Sequence, residues 1–345
     1  MFDYLLRGFW QRVARSIASQ VTAEIPKVFS RPAEEPVTPT TAYLLQAFEA
    51  HQREMRSLIR HLSLPAKELW WQGVQAMPET LPPFGVFDQS TICRQEHLDR
   101  PVYTYWLNRI GLGPEYHRKN WEHVFISQAL FERKMLAPGR RGLGFAVGQE
   151  PLAALFASMG CQIVATDLPA DSSRATDWSK SCEHAANKAN IARQSLLAME
   201  EFDRLVDFRP VDMNDIPPDL TDFDFCWSAC AFEHLGSIEA GMRFVERSIG
   251  CLKPGGIAVH TTEFNLSSNT DTVDNQDTVL YRRRDMEELA DRLRSRGFKV
   301  AQLDFDPGSL PMDRYVDLPP YCNNPHLRLA LMGYVATSFG LIVQR

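Results

Sequence analysis

The segment from Arg141 to Leu168 constrains this chain more than any other, because it spells strand, tight turn, helix and strand in one short run. Leu143, Phe145 and Val147 make a short apolar strand, and Gly148 opens a turn. Pro151 stands at the first turn of a helix, where its missing N–H costs nothing. The helix continues through Met159, Gly160 ends it, and Ile163 to Thr166 form a second strand that finishes at Asp167. Such a β-α-β unit builds a parallel sheet, which takes its ligand at the carboxyl ends of the strands. A carboxylate about 20 residues beyond the turn suits a ribose, since it accepts both diol hydrogens. A nucleoside-containing cofactor is therefore expected.

The turn itself selects among such cofactors. A dinucleotide fingerprint has three glycines, the last of which permits close helix packing beside a pyrophosphate. Here Gly144, Ala146 and Gly148 are the small residues, and Glu150 stands where a third glycine would be. A carboxylate repels a pyrophosphate and attracts an ammonium or a sulfonium, which points from NAD to S-adenosylmethionine.

Further strands are expected over 205–211 and 223–228, the second leading into Ala231-Phe232-Glu233-His234-Leu235. A helix over 237–251 runs into Leu252-Lys253-Pro254-Gly255-Gly256 and a strand over 257–262. A helix over 285–296, a strand over 298–303 and a last strand over 335–343 complete the pattern. In order and spacing, residues 116–345 resemble the class I S-adenosylmethionine-dependent methyltransferases, departing from the common turn pattern at Gly144, Ala146 and Glu150. The resemblance implies an α/β fold with a doubly wound, seven-stranded sheet whose last strand is antiparallel. It also implies that Gly144, Phe145, Ala146, Gly148 and Glu150 hold the methionine end of the cofactor. Asp167 and Leu168 would hold the ribose and Asp212 and Met213 the adenine, with Ser228 near the sulfonium. A nicotinamide-dependent oxidoreductase and a catalytically silent scaffold remain as alternatives.

Methyl transfer is an in-line displacement, so its base candidates lie where the acceptor pocket opens, after the fourth and fifth strands: Glu233, His234, His260 and Glu263. His234 is the first choice and Glu263 the second. Alternation along a strand sets His260 and Thr262 on one face and Thr261 and Glu263 on the other. Asp271, Asp274, Asn275 and Asp277 read as a polar loop, and no metal is expected. Arginines 282–284, together with Asp304, Asp306, Asp313, Asp317, Tyr315 and Tyr321, suit a sugar or a phosphorylated glycan, since acids accept sugar hydroxyls and rings stack on sugar faces. The chain as a whole is similar to bacterial methyltransferases of surface-polysaccharide modification, which implies a glycan acceptor.

A net charge of −6 gives no footprint for nucleic acid. Seven cysteines without a CxxC pair suit a reducing, cytoplasmic compartment, and Cys226 and Cys230 read as buried thiols. No run has the length of a membrane span. Residues 1–30 read as a basic amphipathic helix (Phe2, Leu5, Leu6, Phe9, Val13, Ile17) able to lie at the inner face of a membrane. A Pro-rich linker over 31–40 follows, then a mostly helical association or substrate-covering region over 41–115, with a stripe (Leu44, Leu45, Phe48, Met55, Leu58) that suits a homo-oligomer.

Overall fold

The computed structural model describes residues 85–169, 184–322 and 324–345. The expected N-terminal helix, the linker and the stripe that follows lie outside them. Six strands form the centre of the sheet: β2 (Arg141–Gly144), β3 (Gln162–Asp167), β4 (Val206–Pro210), β5 (Phe223–Ala229), β6 (Leu252–Asn265) and β11 (Tyr334–Gln344). Their order is β4-β3-β2-β5-β6-β11, parallel except for β11, which runs antiparallel along β6.

Period-two alternation splits the core into two layers. Phe225 and Trp227 of β5, Ile257 and Val259 of β6 and Ile342 of β11 face a cluster built with α3 (Arg118–Glu132) and α4 (Leu152–Ser158). Cys226, Ala258, Leu341 and Val343 face the opposite cluster, which includes Met242 and Val245 of α7 (Ile238–Gly250) and Met286, Leu289 and Leu293 of α8 (Arg283–Ser295). β5 is buried nearly throughout, as a central parallel strand covered on both faces must be. Ser237 starts α7 by accepting from Ala240 N at 3.1 Å. The Lys-Pro-Gly-Gly segment lies inside β6 rather than before it, with Gly255 at φ +80°.

The expected count of seven strands is corrected to eleven in one sheet among the described residues. The expected sixth strand is broken in two. β7 (Lys299–Val300) pairs with the end of β11, and Ala301 N still donates to Ile342 O at 3.0 Å. Beyond it, β1 (Ser90–Ile92) enters beside β11, pairing Thr91 with Gly340, and β8 (Leu303–Asp304) pairs with β1 instead. β9 (Val316–Asp317) and β10 (Arg328–Leu331) extend the other end of β11. Two short N-terminal helices, α1 (Gln95–Leu98) and α2 (Pro101–Arg109), bury Leu98, Tyr103 and Trp106 in the core. Between α4 and β4 lie α5 (Lys188–Ile191) and α6 (Met199–Leu205), and α9 (Pro311–Arg314) precedes β9. None of the described helices is long and apolar enough to cross a membrane.

Candidate active site

The turn after β2 is shaped by close approach. A Cβ on Gly144 would meet Trp227 Cζ2 and Val147 Cγ1 at 2.5 Å each, so an acid has no room there. Ala146 and Gly148 take φ of +45° and +50°, and Val147 N donates to Thr166 O at 3.0 Å. Asp167, at the end of β3, gathers three backbone donors: Gly148 N at 3.1 Å, Ala185 N at 2.9 Å and Leu168 N at 2.7 Å. Burial raises its carboxyl, and these N–H groups pull it back. Val211 N reaches Asp167 O at 2.7 Å, which brings the loop bearing Asp212 and Met213 to the same strand end. The turn, Asp167 and that loop are thereby assembled at one end of the sheet. Phe145 turns into the core, edge-on to Phe244.

Glu150 is the distinctive group. Trp227 Nε1 donates to its Oε1 at 2.7 Å, and desolvation outweighs that bond and pushes the carboxyl up to about 8. A half-buried carboxyl short of countercharge is a fitting receiver for the ammonium of a methionine moiety.

Beyond β5 lies a second, buried polar cluster. Cys230, at φ +48°, donates its N–H to Thr261 Oγ1 at 3.0 Å. Thr261 and Glu263 face α3, where Arg118 Nη2 meets Glu263 Oε1 at 2.5 Å and Thr261 Oγ1 donates to Glu122 Oε2 at 3.1 Å. Arg118 Nη1 also donates to Ser338 Oγ of β11 at 3.1 Å and lies 3.6 Å from Cys230 Sγ. Burial alone would raise Glu122, yet Lys119 and Arg118 hold it below the usual carboxylate range. On the other face of β6, Thr262 Oγ1 donates to Glu233 Oε2 at 3.0 Å, and burial raises the Glu233 carboxyl. Glu233 Oε1 and Glu263 Oε2 are buried without a hydrogen-bond partner.

The histidines divide. His234 lies in a 3₁₀ turn (Phe232–His234), with Nδ1 3.0 Å from Asp277 O and 3.1 Å from Thr278 Oγ1. A carbonyl only accepts, so Nδ1 carries a proton toward Asp277 O, and Nε2 lies 3.8 Å from Glu233 Oε1. His260 is fully buried between Ser228 Oγ (2.9 Å) and Ser248 Oγ (3.0 Å), and burial pushes it down to about 3. The structure thus takes His260 and Ser228 to the α7 side of the sheet, away from Glu263, where they knit β5, β6 and α7 together.

The arginine run is engaged internally: Arg282 forks onto Asp285 at 2.8 and 2.9 Å, and Arg283 reaches Glu287 at 2.8 Å. Asp274 Oδ1 caps α7 through Ile238 N at 2.8 Å. Asp304 pairs with Arg94 at 2.5 Å and Asp317 with His326 at 2.7 Å. Sequence reasoning did not single out Arg118, Glu122, Trp227 or Ser338. The signal for the first two was a charged pair at i,i+4 on a helix whose buried side is otherwise largely apolar.

The methyltransferase domain model matches residues 143–260. No curated protein sequence matches the chain. Among solved structures the chain is similar to the (4+2)-cyclase SpnF, with 20% identity over 51% of this chain and 57% of that one, and a TM-score of 0.35. It thus spans little more than half the length of that protein. It is also similar to magnesium protoporphyrin IX methyltransferase from Synechocystis PCC 6803 (10% identity, 66% and 83% covered, TM-score 0.40). A third is an S-adenosylmethionine dependent methyltransferase from Mesorhizobium loti (13% identity, 63% and 96% covered, TM-score 0.37). Over residues 143–260 the chain thus matches a methyltransferase domain.

Proposed function

We propose that the protein moves the methyl group of S-adenosylmethionine onto a hydroxyl of a sugar or related small molecule, beside Cys230, Glu233, His234 and Glu263 beyond the carboxyl end of β5. The carrying observation is the pair of buried carboxylates, Glu233 just after β5 and Glu263 near the end of β6, each anchored through one oxygen and lacking a hydrogen bond at the other. Glu150 receives the ammonium, Asp167 the ribose and the 212–213 loop the adenine. When bound, the cofactor supplies an electrophilic methyl on a sulfonium.

The chain's own part is alignment and a proton. Holding the acceptor oxygen about 3 to 3.5 Å from the methyl carbon supplies much of the rate. The proton leaves the hydroxyl for His234 Nε2, and Glu233 beside it stabilises the imidazolium. Held by Glu150, Asp167 and the 212–213 loop, the cofactor would supply the methyl carbon for the new C–O bond and keep the electron pair of its C–S bond on sulfur. Aromatic groups support a sugar: His117 and His326 stack at 4.8 Å, and Tyr321, edge-on to His326, lies within the fields of Arg118 and Glu263. Within the same proposal the enzyme is cytoplasmic and serves polysaccharide synthesis, with residues 1–30 at the inner membrane face.

The test is S-adenosylhomocysteine binding, read by thermal shift, followed by methyl transfer to a panel of sugars. His234→Ala is expected to keep the shift and lose about 10²–10⁴-fold in kcat. An unshifted midpoint with the wild type, or full activity in His234→Ala, overturns the reading.

A further inference from the structure

Resting on that reading, we propose that Cys230, Glu233 and Glu263 form a binding site for one divalent cation of borderline softness, such as zinc, beside the acceptor. One sulfur or oxygen from each residue lies within 4.8 Å of the other two, and all three residues are buried. A thiolate with two carboxylates is a donor set that suits such an ion.

The two unpartnered oxygens carry the argument. Glu233 is 0% exposed and Glu263 5%, yet Glu233 Oε1 and Glu263 Oε2 have no hydrogen-bond partner. Buried polar groups in folded proteins are normally hydrogen-bonded, and an unmet carboxylate oxygen is costly. Their other oxygens are held by Thr262 Oγ1 at 3.0 Å and Arg118 Nη2 at 2.5 Å. This is the arrangement of metal-binding carboxylates, whose outer oxygens are oriented by hydrogen bonds.

Charge favours a divalent ion over an ammonium. Glu122, Glu233 and Glu263 contribute three negative charges against Arg118 and Lys119, whose Nζ lies 3.7 Å from Glu122 Oε1. Burial raises both the Glu233 carboxyl and the Cys230 thiol, so the ion would displace their protons, leaving the group at two net negative charges that a divalent ion balances. Three protein ligands leave one tetrahedral position open, where the acceptor oxygen would fit.

Full-length protein stripped with a chelator is titrated with zinc by calorimetry and, separately, with cobalt(II) by absorption. About one equivalent of zinc is expected, with a thiolate-to-cobalt charge-transfer band. Cys230→Ser should abolish the band, Glu233→Gln should weaken zinc at least roughly tenfold, and Cys251→Ser should leave both unchanged. Circular dichroism confirms that the variants fold. Absence of zinc binding, or a band that survives Cys230→Ser, overturns the site. A homocysteine-compound shift that persists without zinc binding removes the cation and leaves the methyltransferase reading. Zinc binding without that shift does the reverse.

Discussion

Cofactor affinity should depend on pH through Glu150. Its carboxyl titrates at about 8 in the free protein, so at pH 6 it is ionised in roughly 1% of molecules and at pH 8 in about half. If an ammonium binds only the carboxylate, occupancy of the competent form rises about 50-fold between those values, and the apparent dissociation constant falls by the same factor. Binding below pH 8 releases about one proton per cofactor. Calorimetric titration with S-adenosylhomocysteine in buffers of different ionisation enthalpy reads both quantities. Glu150→Gln keeps an acceptor for Trp227 Nε1 and removes the titrating group, so its affinity should be weak and level over this range. A flat wild-type profile, or an unchanged slope in Glu150→Gln, refutes the assignment.

Other expectations follow from burial. Gly144→Ala drives a methyl into Trp227 and Val147 and should cost about 1–3 kcal/mol in urea unfolding, with cofactor binding weakened. Arg118→Met leaves Glu263 and Glu122 without their buried countercharge and should cost about 3–5 kcal/mol; a loss below about 1 kcal/mol contradicts the ion-pair network. Desolvation lowers His97 and His260 to about 3, so both stay neutral in the fold while the unfolded chain takes up protons below about pH 6.5. Stability is then whole above that pH and falls toward pH 3, by up to about 1.4 kcal/mol per unit for each histidine. Denaturant midpoints from pH 7 to 4 test this, and His260→Ala should flatten the slope.

The β-α-β unit was legible because its punctuation is local: Gly148 and Gly160 mark corners that the backbone itself demands. The opposed faces of His260 and Glu263 followed from strand alternation, and α3 and α7 occupy the two sides as that parity requires. The broken sixth strand was not legible, because β1 is too short to announce itself and its partners lie far along the chain. The buried cluster was hidden for a similar reason. Arg118 and Glu263 are distant in sequence, and nothing local in either reveals a meeting at 2.5 Å. Trp227 reads from sequence as one more core aromatic, and its ring does pack on Phe156. Only the geometry shows its indole N–H on Glu150.

The wedge of residues 90–92 in the sheet also sets an order of events during synthesis. Ser90 Oγ accepts from Ile342 N at 3.0 Å, across 252 residues of chain. Loop closure over such a span must await β11, so residues 90–92 lack this anchor until that strand has followed them. Removing residues 334–344 would then undo the mooring of residues 90–92 as well as the flank of β6.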